Sequence, residues 1–221
     1  MKHLMLLTLL IALCYNGVMA QSLADHLTGK TILFFGDSYV KNHRRPVEET
    51  WHYQVAKRHA MHYINAGRNG SSIAFDRTRD GFGPNMIARL RELPDSVDYF
   101  IVIAGHNDAD KVKNSSDSLR MFCDSLDRFC TLLVEKYPAA RLAWVTPWNV
   151  DRPGFPQVLA AIKDICGRHA IPVLDAAQES GIHVRSQAFR RRYFQGGDTA
   201  HLNAEGHRLL LNWADHFICG L

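Results

Sequence analysis

Five short apolar runs, each followed by a stretch with helical spacing, constrain this chain more than any other feature. The runs lie at residues 31–35 (TILFF), 61–65 (MHYIN), 99–104 (YFIVIA), 141–146 (RLAWVT) and 171–174 (IPVL). After them, apolar residues recur with an amphipathic helical period over 48–60, 85–93, 116–137, 155–169 and 203–218. ILFF and YFIVIA are apolar on both faces, as strands of a parallel sheet covered by two helical layers must be. Five consecutive strand–helix units predict a single α/β domain, a three-layer α/β/α sandwich around a five-stranded parallel sheet. No linker or internal repeat interrupts the pattern, so one domain over residues 21–221 is expected.

Residues 1–20 stand apart from that pattern. Lys2 precedes an apolar run over 4–13, and Val18-Met19-Ala20 forms a cleavage pattern ahead of Gln21. The run is too short to span a bilayer, which takes about 20 helical residues. A cleavable signal peptide is therefore expected, with a secreted or periplasmic mature chain and no integral membrane segment in it. Cys14 raises the alternative of a lipoprotein, but bulky Leu13 stands where the lipoprotein peptidase wants a small residue. The charge balance is 26 Lys plus Arg against 22 Asp plus Glu, too even to call for a nucleic-acid partner.

Beyond the leader lie Cys123, Cys130, Cys166 and Cys219. The first two sit seven apart on one expected helix, hence about 10.5 Å apart, beyond the roughly 7 Å reach of a disulfide. Cys166 and Cys219 fall in separate late helices, and their pairing is left open. No CxxC or Cys/His ligand spacing suggests zinc, and His52, His59 and His62 straddle a helix and a strand without one. No metal is expected.

Open α/β sheets bind ligands at the carboxyl ends of their strands. The loops there begin Gly36-Asp37-Ser38, Gly67-Arg68-Asn69-Gly70 and Gly105-His106-Asn107-Asp108. Ser38 presents a hydroxyl at this rim, which suits a nucleophile and equally suits a turn or helix-capping serine. Asp198-Thr199-Ala200-His201 offers a carboxylate able to orient an imidazole base, although such pairs are common in a chain with 12 histidines. The N–H groups of Ser38 and Gly70 and the Asn107 amide are candidate donors to an oxyanion. Gly70, without a Cβ, lets a substrate approach its backbone, yet both Gly70 and Asn107 are also ordinary turn residues.

The combination is more specific than its parts. Gly36-Asp37-Ser38-Tyr39, Asn65 to Gly70, Gly105 to Asp108, and Asp198 to Asn203 followed by Glu205-Gly206-His207 together resemble, in this order, the SGNH (GDSL-type) hydrolase family. The resemblance implies a flavodoxin-like sheet and a cofactor-free carboxylic ester hydrolase. It implies Ser38 as nucleophile, His201 as base and Asp198 as its orienting partner, with Ser38, Gly70 and Asn107 around the oxyanion. Tyr39 stands where the family commonly has leucine, and His106 where it has a small or apolar residue; both are expected to shape the pocket mouth.

Trp148 follows the fourth run, where it would stack on a substrate or pack beneath the loop. Arg44-Arg45 and Arg190 to Arg192 read as solvated charge or as contacts for an anionic polymer. Export and the lack of an inserted apolar lid favour small acyl groups, acetyl above all, on a carbohydrate or other small-molecule ester. A lipase, lysophospholipase or thioesterase of the same family is the alternative; a polysaccharide-binding module without catalysis is the alternative of another class.

Overall fold

The computed structural model describes residues 26–113 and 115–221; the expected signal peptide lies outside them. Strands β1 (Thr31–Gly36), β2 (His62–Gly67), β3 (Tyr99–Ile103), β4 (Arg141–Val145) and β5 (Val173–Leu174) form one sheet in the order β2-β1-β3-β4-β5, parallel throughout. Helices α1 (Ser38–Lys41), α2 (Trp51–Arg58), α3 (Met86–Arg89) and α4 (His106–Val112) lie in the first half. Helices α5 (Ser116–Lys136), α6 (Phe155–Arg168), α7 (Gln187–Tyr193) and α8 (Ala204–Cys219) follow. This is the expected three-layer α/β/α sandwich with flavodoxin-like strand order.

The pleat of β1 sends successive aromatic rings into different layers. Phe34 meets Trp51 and His52 of α2, with centroids 5.7 and 4.9 Å away. Phe35 meets Phe100 at 5.9 Å and Phe129 of α5 at 6.1 Å. Both rings are fully buried, each adding about 2–3 kcal/mol of apolar burial. Helices α2 and α8 pack together on the Phe34 face, whereas α4, α5 and α6 pack together on the Phe35 face. Cys166 of α6 and Cys219 of α8 are thus separated by the sheet, which answers the open question of their pairing: all four cysteines are free thiols.

Element boundaries depart from expectation where hydrogen bonding overrides periodicity. The segment 48–60 divides into a 3₁₀ turn at Val47–Glu49 and α2, because Thr50 caps the helix by accepting from the Tyr53 N–H. The segment 85–93 likewise divides into α3 and a 3₁₀ turn at Leu90–Glu92. Strand β5 begins at Val173 because the Ile171 N–H still closes the end of α6 on Cys166 O and Pro172 has no N–H to give. Helices α1, α4 and α7 are additions to the expected set. Among the described residues, no helix is long and apolar enough to cross a membrane.

Strand order reverses between β1 and β3, opening a crevice at their carboxyl ends. Ser38 follows β1 and Asn107 follows β3, so both border this crevice.

Candidate active site

Two close backbone approaches set the rim. A Cβ on Gly36 would stand 2.1 Å from Ile103 O, and one on Gly67 would stand 2.3 Å from the Lys41 N. Glycine alone lets β1, β3 and α1 close together here. Asp37 caps α1, its Oδ1 accepting from the Tyr39 N–H at 2.9 Å. The capping role open to Ser38 is therefore filled by its neighbour, and the Ser38 hydroxyl turns elsewhere.

It turns to His201. Ser38 Oγ lies 2.9 Å from Nε2 of that ring, and Nδ1 lies 2.7 Å from Asp198 Oδ2. The other Asp198 oxygen accepts from the N–H groups of Ala200 and His201, at 2.9 and 2.7 Å. Partial burial opposes ionisation of Asp198, but the bonds from the His201 ring and these two N–H groups outweigh it and hold the carboxyl below its usual range. The loop is fixed by Gln195 N–H donating to His201 O at 2.8 Å and by Trp148 Nε1–H donating to Ala200 O at 2.9 Å.

The three expected oxyanion donors differ in readiness. Among the described residues, the N–H groups of Ser38 and Gly70 have no acceptor within the protein. Gly70 sits at φ +70° in a turn closed by Ser71 N–H on Arg68 O. The Asn107 amide is already engaged: Nδ2 donates to Ser71 O at 2.9 Å and to Asp37 Oδ2 at 3.2 Å, while Oδ1 accepts from Arg77 at 3.3 Å. Asn107 thus ties three loops together and reaches a substrate oxygen only by sharing a proton. Burial pushes the Asp37 carboxyl up to about 7 despite the bond from Tyr39.

Tyr39 and His106, expected to shape the pocket mouth, are buried beneath it, and Trp148, for which stacking on a substrate and packing beneath the loop were both open, is buried with them. They are 4, 4 and 3% exposed. The Tyr39 hydroxyl is paired with His106 Nδ1 at 2.9 Å, and the Trp148 ring sits 4.3 Å from that of Tyr39. Their polar atoms are satisfied inside the protein, where they support Ser38 and the His201 loop, and the Tyr39 and Trp148 side chains also border the space beside Ser38.

Four residues at the site escaped the sequence reading. His43 stacks on the His201 ring, with centroids 4.7 Å apart and 28° between planes. Burial, then the His201 charge, holds the His43 imidazole below its ordinary range. Phe82 lays its ring where a Cβ of Gly70 would be, and Arg77 lies 4.4 Å from that ring while donating to Gly70 O at 2.9 Å. Arg89, 3% exposed, donates to Ala66 O at 2.6 Å and Ser71 Oγ at 2.7 Å, buckling β2 to the Gly70 turn. Burial brings its guanidinium down to about 10. None of the four belongs to a motif.

The remaining candidates are ordinary. Asp108 accepts from Ser72 Oγ and the Ile73 and Ala74 N–H groups, pinning the loop after β2. Arg45 pairs with Glu49, and Arg192 with Glu205. His52, His59 and His62 do not converge: His52 is buried against Tyr63, His59 bonds Asp215, and His62 is exposed. Beside the Ser38–His201 pair is a narrow indentation bordered by Tyr39, Asn42, Trp148 and Leu202 among others, too tight to admit a water. An open cleft of about 680 Å³, lined by Lys41, Arg68, Asn69 and Phe82 among others, lies next to the Gly70 turn.

The fold recurs in solved structures. A Lactobacillus plantarum protein is 20% identical, with TM-score 0.74 over 88% of this chain and 99% of its own. A member of the lipolytic G-D-S-L family from Veillonella parvula is 17% identical, with TM-score 0.58 over 86 and 99%. An acetyl xylan esterase is 16% identical, with TM-score 0.60 over 86 and 100%. No curated protein matches the chain. Residues 34–209 match the GDSL-like Lipase/Acylhydrolase family, a span that holds the second half of β1, strands β2 to β5 and the Ser38, Asn107 and His201 loops, and the chain belongs to that family.

Proposed function

We propose that this protein is an exported serine esterase that removes small acyl groups, most of all acetyl, from carbohydrates. The observation that carries the reading is the unbroken hydrogen-bond chain from Ser38 Oγ through His201 to Asp198. In this reading Ser38 attacks the ester carbonyl as His201 takes its proton, and Asp198 stabilises the imidazolium. The Ser38 and Gly70 N–H groups, joined by Asn107, receive the charge on the carbonyl oxygen. His201 then protonates the leaving alcohol, and water repeats the sequence on the acyl-enzyme.

Two observations support a short acyl group. The space beside Ser38 is narrow, and the neighbouring cleft is open and lined by Lys41, Arg68 and Asn69 beside Phe82 rather than by an apolar tunnel. A polar cleft of that kind suits the hydroxyl-rich alcohol part of a sugar ester. The acetyl xylan esterase sharing this fold agrees with the same substrate class, and the leader pattern of residues 1–20 supports export.

The test is hydrolysis of p-nitrophenyl acetate, octanoate and palmitate, with acetate release from acetylated glycans. Acetate is expected to be preferred, and Ser38→Ala or His201→Ala to lower kcat/KM by about 10⁴-fold or more without altering circular dichroism. Preference for palmitate would move the assignment to a lipase or lysophospholipase. Undiminished turnover by Ser38→Ala would remove the mechanism altogether.

A further inference from the structure

At the opposite edge of the sheet, α2 and α8 end side by side, and three side chains of ligating type meet there. His59 is the C-cap of α2, while Asp215 and Cys219 lie one turn apart on α8. His59 Nε2 stands 2.6 Å from Asp215 Oδ1 and 3.6 Å from Cys219 Sγ, and the three ligating atoms all lie within 4.8 Å of one another. We propose that His59, Asp215 and Cys219 form a binding site for a divalent transition-metal ion of the zinc or cobalt type, with water as the fourth ligand.

The geometry is close to what such an ion requires. Tetrahedral bonds of about 2.0–2.3 Å separate ligand atoms by about 3.3–3.8 Å. The His59–Cys219 spacing is already in that range, and the contact between His59 and Asp215 has only to open by about an ångström. A thiolate, an imidazole and a carboxylate are the ligand set of zinc or cobalt rather than of magnesium or calcium, which take oxygen. Each of the three residues is half-buried, leaving room for water.

The surroundings favour a cation as well. Two helices present their C-terminal carbonyl ends here, the negative poles of their dipoles. Arg58 donates to Asp215 Oδ2 and to Asn212 Oδ1, which fixes the carboxylate and leaves Oδ1 turned toward His59 and Cys219. An outer-shell partner on a ligating carboxylate commonly strengthens such sites. On binding, the Cys219 thiol gives its proton to solvent and its sulfur bonds the metal; nothing is oxidised or reduced. The bound ion would tie the end of α2 to the end of α8, far from Ser38.

Titration of the full-length protein with Co²⁺ tests this without reference to catalysis. The expected result is one equivalent bound, with a near-ultraviolet thiolate-to-cobalt charge-transfer band and the intense visible bands of four-coordinate cobalt, both abolished by Zn²⁺. Cys219→Ser should lose the charge-transfer band, and His59→Gln and Asp215→Asn should each weaken binding at least tenfold. Cys123→Ser, at the other partly exposed thiol, should leave the spectrum intact. Zn²⁺ should raise the Tm of the wild type and not that of Cys219→Ser. Absence of the band, or its persistence in Cys219→Ser, would overturn the proposal.

Discussion

His43 stacks on the ring of His201, the proposed base, with centroids 4.7 Å apart. Replacing His43 by alanine removes that ring contact. His43→Ala is then expected to lower kcat/KM for p-nitrophenyl acetate severalfold without altering circular dichroism; an unchanged kcat/KM would show that the stack does not help to position the base. Asn107 poses a different question, because Asp37 and Ser71 already hold its amide protons. Asn107→Ala should lower kcat by about 10²–10³, the usual loss of one oxyanion donor, and an unchanged kcat would leave Asn107 as a loop tie only. Ser38, Asp198, His201, Gly70 and Asn107 were singled out in the sequence through the family resemblance that their four blocks carry together, since each block alone reads equally as a turn or a cap. His43, Arg77, Phe82 and Arg89 were not, because each reaches the site through a contact that no local pattern encodes.

Secondary structure was legible wherever apolar periodicity is strong. Helices α5, α6 and α8 and strands β1 and β3 fall within a residue or so of expectation, since their burial is one-sided for helices and two-sided for strands. Helix α7 contains no buried residue, so no stripe announces it. Helix α4 opens on His106, Asn107 and Asp108, polar side chains held in place by hydrogen bonds rather than by apolar packing. The junction of α1 with β2 carries a prediction at this scale. In Gly67→Ala the new Cβ meets the backbone of Val40 and Lys41, which no rotamer change can move aside. A loss of about 1–3 kcal/mol is expected for such overpacking. It should be read as a Tm several degrees lower; an unchanged Tm would mean that α1 shifts freely.

Across the whole molecule, buried titratable groups set the response to acid. Burial holds His52, His106 and His207 each down to about 3, so the folded chain keeps them neutral where the unfolded chain protonates them. Asp37 and Asp108 act oppositely, since burial raises both, and together they hold at most two protons in the folded chain. Three imidazoles against at most two carboxyls leave the unfolded chain about one proton ahead between roughly pH 4 and 5.5, a lead that closes as the unfolded imidazoles deprotonate toward pH 6.5. Stability therefore rises with pH across that window, by up to about 1.4 kcal/mol per unit. The midpoint of urea unfolding should be lower at pH 5 than at pH 6.5, and an equal or higher midpoint would refute the balance. The parallel sheet was legible from apolar period alone, whereas the meeting of the loop after β1 with the segment before α8 was expected only through the family resemblance, because it depends on strand order rather than on period. Ser38 and His201 are 163 positions apart, and almost the entire chain must leave the ribosome before one finds the other. Under the proposed mechanism a nascent or truncated polypeptide would carry the hydroxyl without its proton acceptor, so ester turnover would serve as a readout of completed folding.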